Sequence, residues 1–293
     1  MRIQGIAALA VCVVGGFAGQ ASGADESGGR IGYLAPANGY WQAWIQELGG
    51  DPRQITGSPG DKTRCSWFPD GKAMLVSSTA GEVVRVGLDS LEETKLPLPR
   101  GIHDAAVSPD GDRIAFSMSP GGTRDANEIF VAAPDGSAMT RLTRLGALQH
   151  EPAWSPDGKW IYFLSGDGGQ AHDIWRVSVD GSAQEQLTAG ELYHFDVAAG
   201  PRGLLAFSGN RGGRYAIWVK PAAGASRVIA GDAAFAAGPS FAGDGRELAF
   251  ERAVDGGASA IFRTPVDGSG SERLVVGAPA RRPCWEPARR RLR

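Results

Sequence analysis

Three of the four histidines occur at a regular spacing, and each has a carboxylate close by. His103, His150 and His194 follow one another at intervals of 47 and 44 residues. The acidic neighbours are Asp104, Glu151 and Asp196. Neutral imidazoles with carboxylates nearby are suitable ligands for zinc, manganese or a similar divalent ion. If the fold brings these histidines together, they predict a divalent metal site, and no other cofactor is indicated.

A sequence repeat offers a second explanation for the same histidines. Repeats copy their residues from unit to unit, so a ring of polar side chains needs no metal. In the other units the same slot holds Thr63, Ala237 and Arg281. Arg281 is the residue that would hold a carboxylate group of a substrate or ligand. His172 lies outside the slot and is interpreted as a loop residue.

No catalytic residue is indicated by a nucleophile motif. The chain has no G-x-S-x-G elbow, no H-E-x-x-H and no glycine-rich phosphate loop that joins a strand to a helix. Its glycine-rich segments lie between strand-like stretches, so they are interpreted as hairpin loops.

A motif of strands and turns returns along the chain and must position these residues. Copies read CSWFPDGKAMLV at 65–76, AAVSPDGDRIAF at 105–116 and AWSPDGKWIYF at 153–163. Aligned on the residue before the turn, six copies are anchored at Trp67, Val107, Trp154, Ala198, Phe241 and Trp285. Spacings of 40 to 47 residues with strand-like contents are typical of β-propeller blades.

The two ends of the chain complete the count of blades. Residues 281–287 provide a first strand with no blade after it, whereas residues 30–56 provide second, third and fourth strands without a first. Pairing the two ends closes the ring and leaves no exposed sheet edge. The sequence therefore predicts an all-β fold, a six-bladed propeller of four-stranded antiparallel blades whose last blade is shared between the termini.

The W-S-P-D-G-K turn, the I-[WF] strand and the D-G turn before L-T resemble the repeat of TolB-like propellers. The resemblance covers roughly residues 30–287 and implies a six-bladed propeller. In that family the propeller is periplasmic, carries an additional N-terminal α/β domain and docks a peptidoglycan-associated lipoprotein. Only DESGG separates Ala24 from Arg30 here, so the resemblance implies the fold and not the partner.

The N-terminus reads as a secretory signal. A basic start, an apolar run from Ile6 to Phe17 and small residues up to Ala24 predict a signal peptide at 1–24, followed by a single propeller domain at 25–293. The protein is thus expected to be periplasmic or secreted, with no membrane span, and monomeric. A formal net charge of −2 gives no reason to expect a nucleic-acid partner.

Two cysteines remain in the mature chain, Cys65 and Cys284. An even count in an oxidising compartment favours a disulfide. The alternative is two buried thiols that behave as small apolar side chains.

Two functions of different classes follow from these features. The first is a binding or scaffold module that holds a protein or glycan partner through the face that carries the long loops and through the mouth of the central channel on that face. The slot is expected at the start of the innermost strand of each blade, where its residues line this mouth. The binding candidates there are His103, Asp104, His150, Glu151, His194, Asp196 and Arg281. Its loop candidates are Arg124, Asp167, Arg211, Arg214 and Asp255. The second is a metal-dependent lyase or hydrolase acting on acidic sugars, with the three slot histidines as metal ligands.

Overall fold

The computed structural model describes residues 29–121, 126–166, 172–190, 193–231 and 235–288. Within these ranges the secondary structure is almost entirely strands, joined by tight turns and by one short 3₁₀ helix at Pro201–Gly203. The predicted signal peptide lies outside the described residues and stays a prediction.

The first strands in the chain belong to the closing blade and to blade 1. The closing blade begins with β1 (Arg30–Ala37), β2 (Tyr40–Glu47) and β3 (Arg53–Gln54). Blade 1 contains β4 (Lys62–Trp67), β5 (Ala73–Ser78), β6 (Val83–Gly87) and β7 (Glu93–Lys95). Each blade is a four-stranded sheet.

Blades 2 and 3 repeat this plan. Blade 2 contains β8 (Ala106–Val107), β9 (Ile114–Met118), β10 (Glu128–Ala132) and β11 (Thr140–Arg141). Blade 3 contains β12 (Leu148–Trp154), β13 (Trp160–Gly166), β14 (Asp173–Ser178) and β15 (Gln184–Gln186).

Blades 4 and 5 follow, and the last strand returns to the start of the chain. Blade 4 contains β16 (Tyr193–Ala199), β17 (Leu205–Arg211), β18 (Arg214–Lys220) and β19 (Arg227–Ala230). Blade 5 contains β20 (Ala236–Phe241), β21 (Glu247–Ala253), β22 (Ser259–Pro265) and β23 (Arg273–Val276). The last strand is β24 (Arg281–Trp285).

The closing blade confirms the predicted shared sheet. Its strand order is β24-β1-β2-β3, and Ile31 stands opposite Trp285 in the antiparallel pair of β1 with β24. The first strands of successive blades contact one another around the ring, so they line the axis of the propeller. The prediction of six blades closed by both termini is correct.

The repeated residues build the interfaces between blades. Six apolar clusters each join two neighbouring blades. Tyr33, Phe116, Phe163, Phe207 and Phe250 are buried at equivalent positions of five blades. Two anchor tryptophans also bind the preceding blade: Trp154 Nε1 donates to the Ala106 carbonyl at 3.0 Å, and Trp67 Nε1 donates to the Cys284 carbonyl at 2.9 Å. Burial of these large apolar side chains stabilises the ring.

The S-P-D-G sequence forms the turn that was predicted for it. Ser155 Oγ donates to Asp157 Oδ1 at 2.6 Å and accepts a hydrogen bond from the Trp160 backbone N–H at 2.9 Å. Gly158 has φ +72°, which a side chain would disfavour. Because these side chains bond to their own turn, they fix the hairpin between the first two strands of the blade.

Candidate functional site

The innermost strands carry irregularities at one repeated position. The pairing of first and second strands shifts register at His150–Ala153 in blade 3, at Ala237–Ser240 in blade 5 and at Gly32–Leu34 opposite β24. Glu151 and Arg282 adopt φ of +56° and +53° there, which is uncommon for residues with side chains. Such bulges reorient side chains, and here they turn charged groups into the channel.

An acidic side chain from the preceding blade binds the backbone N–H at each of three bulges. Asp104 Oδ2 accepts from Glu151 N at 2.8 Å, and Asp196 Oδ2 accepts from Gly238 N at 3.1 Å. Glu251 Oε2 accepts from Arg282 N at 2.9 Å. Asp104 and Asp196, both predicted as binding residues at the channel mouth, are therefore buried ties between blades.

Ion pairs cross the channel at the level of the bulges. Arg282 Nη1 lies 3.0 Å from Glu151 Oε1 and also contacts Asp196 Oδ1. Arg64 Nη1 binds the other oxygen of Glu151 at 2.7 Å. These residues come from blades 1, 3 and 4 and from the closing blade. The channel floor, defined as Arg64, Glu151, Asp196 and Arg282, therefore links non-adjacent parts of the ring.

The pKa values of the channel-floor residues depend on their burial and on the number of oppositely charged partners that each has. The carboxylates of Glu151 and Asp196 raise the pKa of the Arg282 guanidinium, which stays protonated. Burial opposes the charged form of Glu151, but Arg282 and Arg64 together outweigh it and lower the pKa of Glu151. Asp196 faces one guanidinium instead of two, and burial raises its pKa. Glu151 is thus the firmly ionised member of the pair.

The three slot histidines do not meet at one point. His103 is exposed, and its Nδ1 lies 3.1 Å from the Ser78 carbonyl oxygen. His150 Nε2 lies 2.7 Å from His172 Nδ1. His194 is buried, with its Nδ1 2.6 Å from the His172 carbonyl oxygen. His172, which was interpreted as an unrelated loop residue, is the group that joins His150 and His194.

The donor set does not fit a metal ion. Among the residues that the structure describes, no group of three or more His, Cys, Asp or Glu side chains is placed to hold one. Burial lowers the pKa of both His172 and His194, so these imidazoles favour the neutral form. The His172 ring is engaged with the His150 ring, and the His194 ring is engaged with the His172 carbonyl oxygen.

A cavity of about 470 Å³ lies on the side of the channel floor that carries the S-P-D-G turns. All four residues of the channel floor line it. Its aromatic walls are Trp67, Trp154, Phe241 and Trp285, and its rim includes Pro69, Pro109, Pro156, Pro201 and Pro287. In blade 2 the anchor tryptophan of the repeat is replaced by Val107. In blade 4 the sequence alignment put the anchor at Ala198, but Ala199 pairs with Leu205 as Trp154 pairs with Ile161, so the anchor position is held by Ala199. Both alanines line the cavity.

The predicted residues are thus divided between two ends of the channel. His150 pairs with Leu164 near the loop end of β13, on the opposite side from the turn-face cavity. Arg281 does not line the cavity either, because its guanidinium carbon lies 3.8 Å from the centroid of the Trp41 ring. Of the predicted binding residues, Glu151 and Asp196 reach the cavity.

Sequence reasoning missed Arg64, Arg282 and Glu251 as channel residues. A signal was present, since Arg64, Asp104, Glu151 and Arg282 each stand three positions before the anchor of their blade. With the anchors as aligned in the sequence, that slot holds charged residues in four of six blades, and the structural anchor Ala199 adds Asp196 of blade 4. The sequence does not show which of these charges pair across the ring.

Three of the loop candidates, Arg211, Arg214 and Asp255, are exposed at hairpin ends on the face opposite the cavity. Arg124 and Asp167 lie outside the described residues.

A disulfide joins Cys65 to Cys284, with the two Cα atoms 6.3 Å apart. It links β4 of blade 1 to β24 of the closing blade. The bond therefore fastens the final strand, which supplies both Arg282 and Trp285, to the adjacent blade.

These features define a six-bladed β-propeller whose channel is crossed by ion pairs and opens as a cavity on the turn face. Residues 99–289 match the family described as PD40, the TolB beta propeller domain. The chain belongs to this family.

Curated relatives match part of the chain. An uncharacterized Agrobacterium fabrum protein, Atu1656, is 43% identical over 150 residues, which are 48% of this chain and 50% of that protein. The Tol-Pal system protein TolB of Anaeromyxobacter dehalogenans is 30% identical over 129 residues, which are 43% of this chain and 29% of that protein. The chain thus aligns with half or less of the length of these relatives.

Solved structures show the same fold. TolB from Acinetobacter baumannii superimposes with a TM-score of 0.76 at 20% identity, over 88% of this chain and 67% of that one. An oligogalacturonate lyase in complex with manganese gives a TM-score of 0.60 at 15% identity, over 86% of this chain and 74% of that one. In the part of the chain that the structure describes, no helix has the length and hydropathy needed to cross a membrane.

Proposed function

We propose that this propeller is an exported, periplasmic or secreted, binding module that holds a segment of a protein partner in the turn-face cavity. The observation that carries the proposal is the cavity itself, about 470 Å³ in volume, with aromatic walls above a charged floor. Cavities of roughly 300–1,000 Å³ with apolar walls and a few placed polar groups are the usual form of binding sites.

The walls of the cavity are suited to an inserted peptide. The Trp67 and Trp154 indoles donate their N–H groups to backbone carbonyls of neighbouring blades, so these rings are fixed before a ligand arrives. Preformed walls reduce the ordering cost of binding. The rim supplies proline rings and backbone groups, which pair with the backbone of an extended segment.

The channel floor makes one end of the cavity polar, and its positive and negative side chains are paired with each other. Glu151 and Asp196 are each paired with Arg282. A buried charge without a partner is costly, whereas a paired group still offers hydrogen-bonding atoms. We infer that the floor recognises polar atoms at the tip of the inserted segment, while the aromatic walls supply apolar contact.

The proposal is tested by filling part of the cavity with a large side chain. Ala198→Trp adds a large side chain to the first strand of blade 4, at a position that lines the cavity, and should occupy part of its volume. A photoreactive residue at Ala199 should crosslink the partner in cells, and the additional Ala198→Trp change should abolish the crosslink. The control is Ala223→Trp, at an exposed position of the β18–β19 turn.

Two outcomes would overturn this function. One is an unchanged crosslinked species in the folded Ala198→Trp variant. The other is an equal loss of the crosslinked product in the Ala198→Trp variant and in the Ala223→Trp control.

A further inference from the structure

A cluster of aromatic side chains lies on the long-loop face, away from the turn-face cavity. The aromatic row consists of Tyr193, Phe195, Tyr215 and Phe235. Ring centroids are 6.2 Å apart for Tyr193 and Phe195 and 5.4 Å apart for Tyr215 and Phe235. Phe195 lies between them, 5.3 Å from Tyr215.

The aromatic row is open to solvent. Tyr193, Tyr215 and Phe235 are 38%, 36% and 38% exposed, and none of the row belongs to the apolar clusters between blades. Three exposed aromatic rings in one place are unfavourable in water and do not stabilise the fold by packing. Contiguous exposed apolar surface of this kind marks interaction sites. Tyrosine in particular combines an apolar ring with a polar tip.

Two arginines stand at the end of the same hairpin. Asn210 pairs with Tyr193 on one side and with Tyr215 on the other, and Arg211 pairs with Arg214 at the next position. Both arginines are exposed, and neither forms an ion pair within the described part of the chain. Like charges directly opposite each other on paired strands are destabilising, so a bound anion would relieve them.

We propose that the aromatic row and the Arg211–Arg214 pair together bind an acidic oligosaccharide. A uronic acid unit presents an apolar C–H face, which packs on an aromatic ring, and a carboxylate, which pairs with a guanidinium. A chain of such units offers both groups repeatedly, and this surface offers both partners side by side. The site is separate from the turn-face cavity and does not depend on the protein partner proposed for it.

Binding of alginate fragments to the full mature chain, measured by titration calorimetry in 0.15 M salt, tests the proposal. Dextran fragments test whether a sugar without carboxylates suffices, and polyglutamate tests whether carboxylates without sugar rings suffice. Alginate alone should bind. Tyr215→Ala and Arg214→Gln should each weaken alginate binding by about ten-fold or more, as expected for loss of one good contact.

Matched controls use residues of the same types elsewhere on the surface. Tyr40→Ala removes a tyrosine that is 41% exposed, and Arg100→Gln removes an arginine whose side chain is 77% exposed. Both should leave alginate affinity unchanged, as should the cavity variant Ala198→Trp. Absence of alginate binding, or equal binding of polyglutamate, would overturn the proposal, and the second result would assign the surface to an acidic protein.

Discussion

Arg282 Nη1 lies 3.0 Å from Glu151 Oε1, although 131 residues separate them in the sequence. Glu151 belongs to blade 3, and Arg282 belongs to the strand that closes the ring. Their pairing therefore exists only when the propeller is closed. The ion pairs of the channel floor therefore depend on β24, the same strand that closes the ring.

Replacing Arg282 should destabilise the protein. Arg282→Met leaves Glu151 and Asp196 with fewer cationic partners in a largely buried site. Breaking a fully buried pair costs about 3–5 kcal/mol, but the Arg282 side chain is 35% exposed, so we expect about 2–3 kcal/mol. Urea unfolding measures the loss. Arg100→Met, at an exposed ion pair, is the control and should cost under about 1 kcal/mol; a similar loss for both variants would contradict this role.

Glu251 should give the protein a pH-dependent stability of unusual sign. Burial raises the pKa of the Glu251 carboxyl above its ordinary value of 4.5, and the pull of Arg282 does not cancel this. Between the ordinary and the raised pKa the folded state binds more protons than the unfolded state. Stability contributed by this group therefore falls as pH rises through that window.

Glu251→Gln removes that titration and keeps an acceptor for the Arg282 N–H. The stability of the wild type relative to Glu251→Gln should decrease as pH rises from about 4.5, as measured by urea unfolding at a series of pH values. Glu92→Gln, which makes the same substitution at an exposed position, is the control variant. A wild-type advantage that grows with pH would show that the sign is wrong.

The Cys65–Cys284 disulfide should be a large contributor to stability because it closes most of the chain into one loop. The two residues are 219 positions apart, and the chain-entropy model gives roughly 5 kcal/mol for a loop of that size. Reduction should lower the urea midpoint of the wild type but not that of the Cys65→Ser/Cys284→Ser double variant. Peptide mapping without reductant should recover the linked pair; free thiols at both positions would contradict the bond.

Metal content separates the binding module from the enzyme alternative. The slot histidines do not converge, so the protein loaded with zinc or manganese and then desalted should retain well under one equivalent. His150→Ala should not change the amount retained. Near-stoichiometric metal that disappears in His150→Ala would instead support the metal-dependent enzyme, with His172 a candidate for an additional ligand.

The repeat in the sequence determined the fold. Turn chemistry is local: the Ser155–Gly158 hydrogen bonds need only their own hairpin, and the spacing of anchors such as Trp67 and Trp154 reflects one packing solution copied along the chain. The blade count and the pairing of β24 with β1 followed from these local rules and are confirmed.

The tertiary structure decided how the channel is used. Which carboxylate pairs with Arg282, and whether His150 meets His103 or His172, depends on side-chain directions set by bulges and on distances across the ring. Neither quantity is encoded by spacing along the chain, because residues in one slot are related by rotation about the axis and not by contact. The sequence predicted which positions lie around the channel axis. Which of these residues contact one another was decided only when the propeller closed.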